Sequence, residues 1–85
     1  MDLVDIKILF FAASKEIAGC SESTLKLNKV ISFEDLKAII CSTFGLQSIA
    51  NNFVLAVNQN YIESGSVIEL SLGDEIAVIP PLSAG

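Results

Sequence analysis

Gly73-Asp74-Glu75-Ile76-Ala77-Val78-Ile79-Pro80-Pro81-Leu82-Ser83-Ala84-Gly85 is the stretch whose reading decides the fold. Gly73-Asp74 is a turn signal, and Ile76 to Ile79 is a short, largely β-branched apolar run whose length predicts a strand buried on both faces. Pro80 has no N–H to give to a sheet ladder and biases Ile79 toward extended backbone, while Pro81 holds the next residue near polyproline II geometry. The chain is therefore expected to leave the sheet as an extended arm. From Pro80 to Gly85 that arm can span roughly 20 Å, at about 3.3–3.6 Å per residue. It ends on small residues without charged side chains, Ser83, Ala84 and Gly85. A terminal glycine has no Cβ beside its acyl carbon, so a nucleophile or a narrow channel can approach it unhindered.

Working outward from that strand, Val4 to Ile8 alternates apolar and polar and then runs into Leu9-Phe10-Phe11-Ala12, which predicts a strand that starts half exposed and ends buried. Ser14 is placed to cap a single turn, Lys15 to Ala18, that Gly19 stops. Thr24 to Leu27 alternates again and reads as a second strand, antiparallel to the first. The main helix begins at Ser32, where Ser32 and Asp35 form a capping pattern and Ile31 and Leu36 a hydrophobic staple. Leu36, Ile39, Ile40 and Phe44 make its apolar stripe, and Gly45 ends it. On this reading, Ile39→Asp should unfold the domain. Phe53 to Val57 is a further strand, Asn58-Gln59-Asn60 a turn, Tyr61-Ile62 a brief resumption of pairing, and Val67 to Leu70 a short strand or bridge.

One helix on one face of a mixed sheet, with the first and last strands central and parallel, buries these stripes in a single pair of layers. The expected class is α+β, with the ubiquitin-like β-grasp arrangement. The 85 residues suffice for one core. Residues 1–81 are read as the folded domain and residues 82–85 as a flexible C-terminal tail.

Composition narrows the function. Hydrophobic residues make up 52% of the chain, which argues against disorder, and no apolar run approaches the ~20 residues of a membrane-spanning helix. Met1-Asp2 opens acidic with neither a basic nor an apolar leader region, so a soluble, cytosolic protein is expected. A net charge of −5, with ten acids against five dispersed lysines, disfavours nucleic acid and anionic lipid as partners and favours a basic protein surface. Cys20 and Cys41 are too few and too far apart for a zinc site, and no metal or bound cofactor is expected. Cys41 reads as a core residue and Cys20 as a loop residue. Histidine is absent, which counts against independent acid–base catalysis, so the chain is not expected to be an enzyme on its own.

Four stretches carry a resemblance: Ile6-Lys7-Ile8-Leu9-Phe10-Phe11-Ala12, Lys15-Glu16 followed by Gly19, Leu55-Ala56-Val57-Asn58-Gln59, and Gly73-Asp74-Glu75-Ile76-Ala77 running to Ile79-Pro80-Pro81-Leu82-Ser83. In order and over most of the chain, they resemble the small, sulfur-carrying subunit of molybdopterin synthase. The resemblance implies that Gly85 is adenylated by an E1-like enzyme using ATP, becomes a thiocarboxylate, and donates sulfur to cyclic pyranopterin monophosphate to build the molybdopterin dithiolene. It implies that Pro80, Pro81, Leu82, Ser83 and Ala84 thread the partners. Those are the adenylyltransferase/sulfurtransferase and the large catalytic subunit, the latter in a heterotetramer of two small and two large subunits. The family pattern ends Gly-Gly where this chain has Ala84-Gly85, and Lys15 stands where the family often has arginine. The residues leave open a thiamin or tRNA-thiolation carrier, a ubiquitin-like modifier joined to lysines, and an interaction module with an inert tail.

Overall fold

In the computed structural model, which describes residues 3–49 and 53–80, the elements follow in the order β1 (Leu3–Phe10), α1 (Ala13–Ala18), β2 (Glu22–Asn28), β3 (Val30–Ser32), α2 (Phe33–Phe44), a 3-10 turn (Gln47–Ile49), β4 (Val54–Val57), β5 (Asn60–Ile62), β6 (Val67–Glu69) and β7 (Glu75–Ile79). Five strands form one mixed sheet in the order β2-β1-β7-β4-β5, and β3 and β6 form a separate two-stranded ribbon. Strands β1 and β7 run parallel in the interior of the sheet, with Ile8 beside Ile76 and Phe10 beside Val78, as the sequence predicts.

Period-two alternation sorts the sheet's side chains. Ile6, Ile8, Phe10, Leu27, Leu55, Ile76 and Val78 are buried on one face, where they form a single core with Phe33, Leu36, Ile40 and Cys41 of α2. Phe44 joins from the edge of that core, its ring 4.7 Å from that of Phe10 in an edge-to-face contact. The helix starts as expected: the Ser32 hydroxyl accepts from the Asp35 N–H at 3.1 Å, and Gly45, in the left-handed region at φ 72°, returns its N–H to Cys41. Glu34, in the first turn, accepts from Ser64 Oγ and Gly65 N at 2.9 and 3.0 Å. These bonds, the Ser64 hydroxyl foremost, hold its carboxyl below the usual range and tie the loop after β5 to the helix.

Four expectations are corrected. Strand β7 is not buried on both faces: Ile76 and Val78 are enclosed, whereas Glu75, Ala77 and Ile79 lie half-buried on the other side, because α2 covers only one face. Strand β1 does not end buried throughout, since Leu9 is half-buried and Phe11, beyond the strand, is 47% exposed. Within α2, Ile39 and Phe44 are only partly buried, and Phe33, outside the expected stripe, is in the core. Finally, Ser14 does not cap α1. The cap position is Ala12, which makes no side-chain bond, while Ser14 is fully buried.

Three of the four stretches that carried the resemblance meet at the start of β7, where the Lys7 N–H also donates to Asp74 O at 3.0 Å. Asn58 and Gln59, both at positive φ (48° and 72°), close the β4–β5 hairpin with a two-residue loop. The Asn58 amide donates to Asp74 Oδ1 at 3.1 Å and its oxygen accepts from the Glu75 N–H at 3.0 Å, while Asp74 Oδ2 accepts from the Ser71 N–H at 2.8 Å. Asn58-Gln59 and Gly73-Asp74-Glu75 are thus two halves of one clamp that sets the register of the central strand. Asp74→Ala removes two of its bonds and should lower stability by about 1–2 kcal/mol in urea unfolding. A change below about 0.3 kcal/mol would show the clamp to be idle.

Candidate functional site

Strand β7 lies in the middle of the sheet between β1 and β4, so Pro80 follows the end of a central strand. Pro80 is half-buried there. The remaining predicted site residues, Pro81, Leu82, Ser83, Ala84 and Gly85, lie outside the described residues. What the fold settles is the position from which they start and the surface beside it.

That surface is the uncovered face of the sheet, which the sequence reading missed because it assigned β7 two buried faces. Leu9, Phe11, Ala56, Tyr61, Ala77 and Ile79 line a shallow apolar groove running along β7 toward Pro80, with Gln59 and Glu75 at its polar end. Two features make it a docking surface in kind. Tyr61 is 71% exposed, a large amphipathic ring at the rim. Ala56 and Ala77, opposite each other across β4 and β7, give a floor low enough for a partner's side chains. Leu9-Phe10-Phe11 and Ala77-Val78-Ile79 are apolar at every position, so alternation gives no sign of which face is open.

Beyond Glu75, Lys7 pairs with Glu22 at 3.6 Å and Glu75 at 4.0 Å, and Lys26 with Asp5 at 2.8 Å. All five groups are about half exposed or more, so these pairs shape the field of the face more than the stability of the fold. Away from it, Lys37 sits 5.9 and 5.3 Å from the Phe33 and Phe53 ring centres. Cys41 is buried, which pushes its thiol pKa up and leaves it an inert core residue. Cys20 is half-buried beside the end of α1. Among the described residues, no three His, Cys, Asp or Glu side chains are grouped to hold a metal, and no helix is long and apolar enough to cross a membrane. What the described residues offer is an apolar face beside the end of the central strand.

A mixed five-stranded sheet with an interior parallel pair, grasping one main helix, defines the class as the ubiquitin-like β-grasp proteins. In keeping with that, small archaeal modifier protein 1 of Methanosarcina acetivorans superposes with a TM-score of 0.76 over 100% of both chains, at 20% identity, a likeness of fold alone. Residues 8–85 match the ThiS family. The molybdopterin synthase sulfur carrier subunit of Drosophila erecta is 42% identical over 84 residues, 98% of this chain and 93% of that protein. In the complex of subunits 1 and 2 of the molybdopterin-converting factor from Helicobacter pylori, one chain superposes with a TM-score of 0.70 and 26% identity, over 96% of this chain and 100% of that one. The chain belongs to the ThiS family, and the resemblance read from its tail and strands is the one these relatives bear out.

Proposed function

We propose that the chain is the sulfur carrier subunit of a molybdopterin synthase and works as a carrier rather than as a catalyst on its own. The observation that carries this reading is full-length similarity to a sulfur carrier subunit combined with a central strand that runs through Pro80-Pro81 into a small-residue tail.

In the proposed cycle the Gly85 carboxylate attacks the α-phosphorus of ATP on an E1-like adenylyltransferase, and pyrophosphate leaves. A carboxylate is a poor electrophile, and the mixed anhydride makes its carbon attackable. A sulfur nucleophile supplied by that partner then displaces AMP and leaves a thiocarboxylate, which remains nucleophilic near neutral pH. The loaded tail, Pro80 to Gly85, enters the large catalytic subunit and gives its sulfur to cyclic pyranopterin monophosphate. Two such transfers build the dithiolene. The apolar groove around Ala77 and Ile79 docks both partners, and two small and two large subunits form the working assembly. Every proton-transfer group and the ATP site belong to the partners, which accommodates a chain with neither histidine nor arginine. A net charge of −5 suits basic clefts built for phosphate in a cytosolic protein, and neither nucleic acid nor membrane takes part.

The test is to incubate the thiocarboxylated chain with the large subunit and the pterin precursor. Dithiolene formation is expected. Loaded sulfur that reaches only a thiazole precursor or tRNA would overturn the assignment, as would conjugation to lysines. One further expectation concerns the penultimate residue. Ala84→Gly restores the slimmer ending and φ > 0 freedom, so loading should be unchanged or up to about threefold faster. A clear fall would mean that the alanine methyl itself is recognised.

A further inference from the structure

Ser14 is the one buried polar side chain among the described residues, and no water reaches it. It belongs to the tight turn that joins β1 to α1. Ala12 sits there at φ 52° and ψ −129°, and the Ser14 N–H returns to Phe11 O at 3.1 Å, the geometry of a II′ turn whose second position favours glycine. The Ser14 hydroxyl accepts from the Phe11 N–H at 3.1 Å, and its single proton has two acceptors in reach, Phe11 O at 2.7 Å and Val78 O at 3.1 Å. Phe11 O is the nearer, so the proton is shared between the turn's own carbonyl and a main-chain oxygen two residues before Pro80.

The direction of that oxygen matters. On the β4 side of β7, Glu75 O accepts from the Asn58 N–H at 2.8 Å, and alternation brings Ala77 and Ile79 back to the same side. Val78 O therefore faces β1, where its backbone donor, the Phe11 N–H, lies at a long 3.3 Å. Pro80 faces the same way and has no N–H to continue the ladder. Among the described residues, Val78 is the last before the arm that is bonded on the β1 side, and the Ser14 hydroxyl makes the shorter of its two bonds.

We propose that Ser14 is a positioning residue: its hydroxyl locks the Val78 peptide to the β1–α1 turn and so fixes the direction in which the arm from Pro80 to Gly85 is presented to the activating enzyme. This rests on the carrier reading above. With the hydroxyl gone, Val78 O keeps only the long bond from the Phe11 N–H, and the root of the arm is held chiefly from the β4 side, through Ile79 beside Val54. Of the docking face only Phe11 belongs to the Ser14 turn; Leu9, Ala56, Tyr61, Ala77 and Ile79 project from strands the substitution does not touch. The loss falls more on orientation of the terminal carboxylate than on binding.

The experiment measures steady-state thiocarboxylate formation by the full-length chain with ATP, the activating enzyme and a sulfur donor. Ser14→Ala should lower kcat about fivefold or more with KM within about twofold of wild type. Ile31→Val, a core change of comparable mild cost far from the arm, should leave both constants alone and so reports what lost stability does by itself. Ser14→Cys keeps a donor, a weaker one on a larger atom, and should fall between wild type and Ser14→Ala; it carries the test if the alanine variant does not fold. A wild-type kcat in the serine variants, a fall in kcat matched by Ile31→Val, or a change confined to KM would overturn the proposal. If wild type itself gains no sulfur, it is the carrier reading that fails.

Discussion

Deleting Gly85 is expected to abolish sulfur loading and transfer while moving the thermal midpoint by less than about 2 °C. The two effects separate because the residue lies seven positions beyond Val78, the last fully buried residue of β7. Its acyl carbon, by contrast, is the proposed reacting atom. The truncated chain would end on Ala84, whose carboxylate is one residue, about 3.5 Å, short of the activating site and carries a Cβ beside it. Displacement on that scale removes the proximity on which acyl transfer depends. Loading of the truncated chain at a rate comparable to wild type would mean that Gly85 is not the site.

The second large effect is on stability, and it separates two neighbouring residues. Ile40 has no exposed surface and sits in the core cluster, so Ile40→Asp must either bury a carboxylate or expel the helix from the sheet. Either costs several kcal/mol, comparable with the whole stability of a domain this size, about 5 kcal/mol, and the variant should be unfolded at 25 °C by circular dichroism. Ile39 is only partly buried, and its replacement can turn the carboxylate to water. Ile39→Asp should remain folded with a loss of about 1–2 kcal/mol. Equal damage from the two would mean that the helix is rotated from the orientation described.

That contrast marks where the sequence is legible and where it is not. Helix α2 announced itself through Ser32, Asp35 and Gly45, whose chemistry is local: Ser32 caps through the Asp35 N–H and Gly45 ends the helix. Its rotation was less legible, because Phe33, Leu36, Ile39, Ile40 and Phe44 span too wide an arc for period alone to say which edge faces the sheet. Strands β3 and β6 are three residues each, shorter than alternation can establish, and they find each other only through tertiary pairing. Ser14 was misread for a similar reason. A serine before a short helix resembles a cap, and only the parallel pairing of β1 with β7 brings Val78 O to it. At the candidate site the arm beyond Pro80 lies outside the described residues, and the end of the central strand before Pro80 was legible, since a proline acts through the backbone. The groove beside it was not, because an apolar strand covered on one face and one covered on both carry the same letters when the open face is itself a binding surface.

The most direct measurement is intact-mass spectrometry of the full-length chain after incubation with ATP, an E1-like activating enzyme and a sulfur donor, followed by fragmentation to locate the change. A gain of about 16 Da, sulfur in place of oxygen, confined to the C-terminal residue is predicted. An unchanged mass under conditions where the enzyme loads another carrier, or a gain that maps to Cys20 instead of Gly85, would contradict the account.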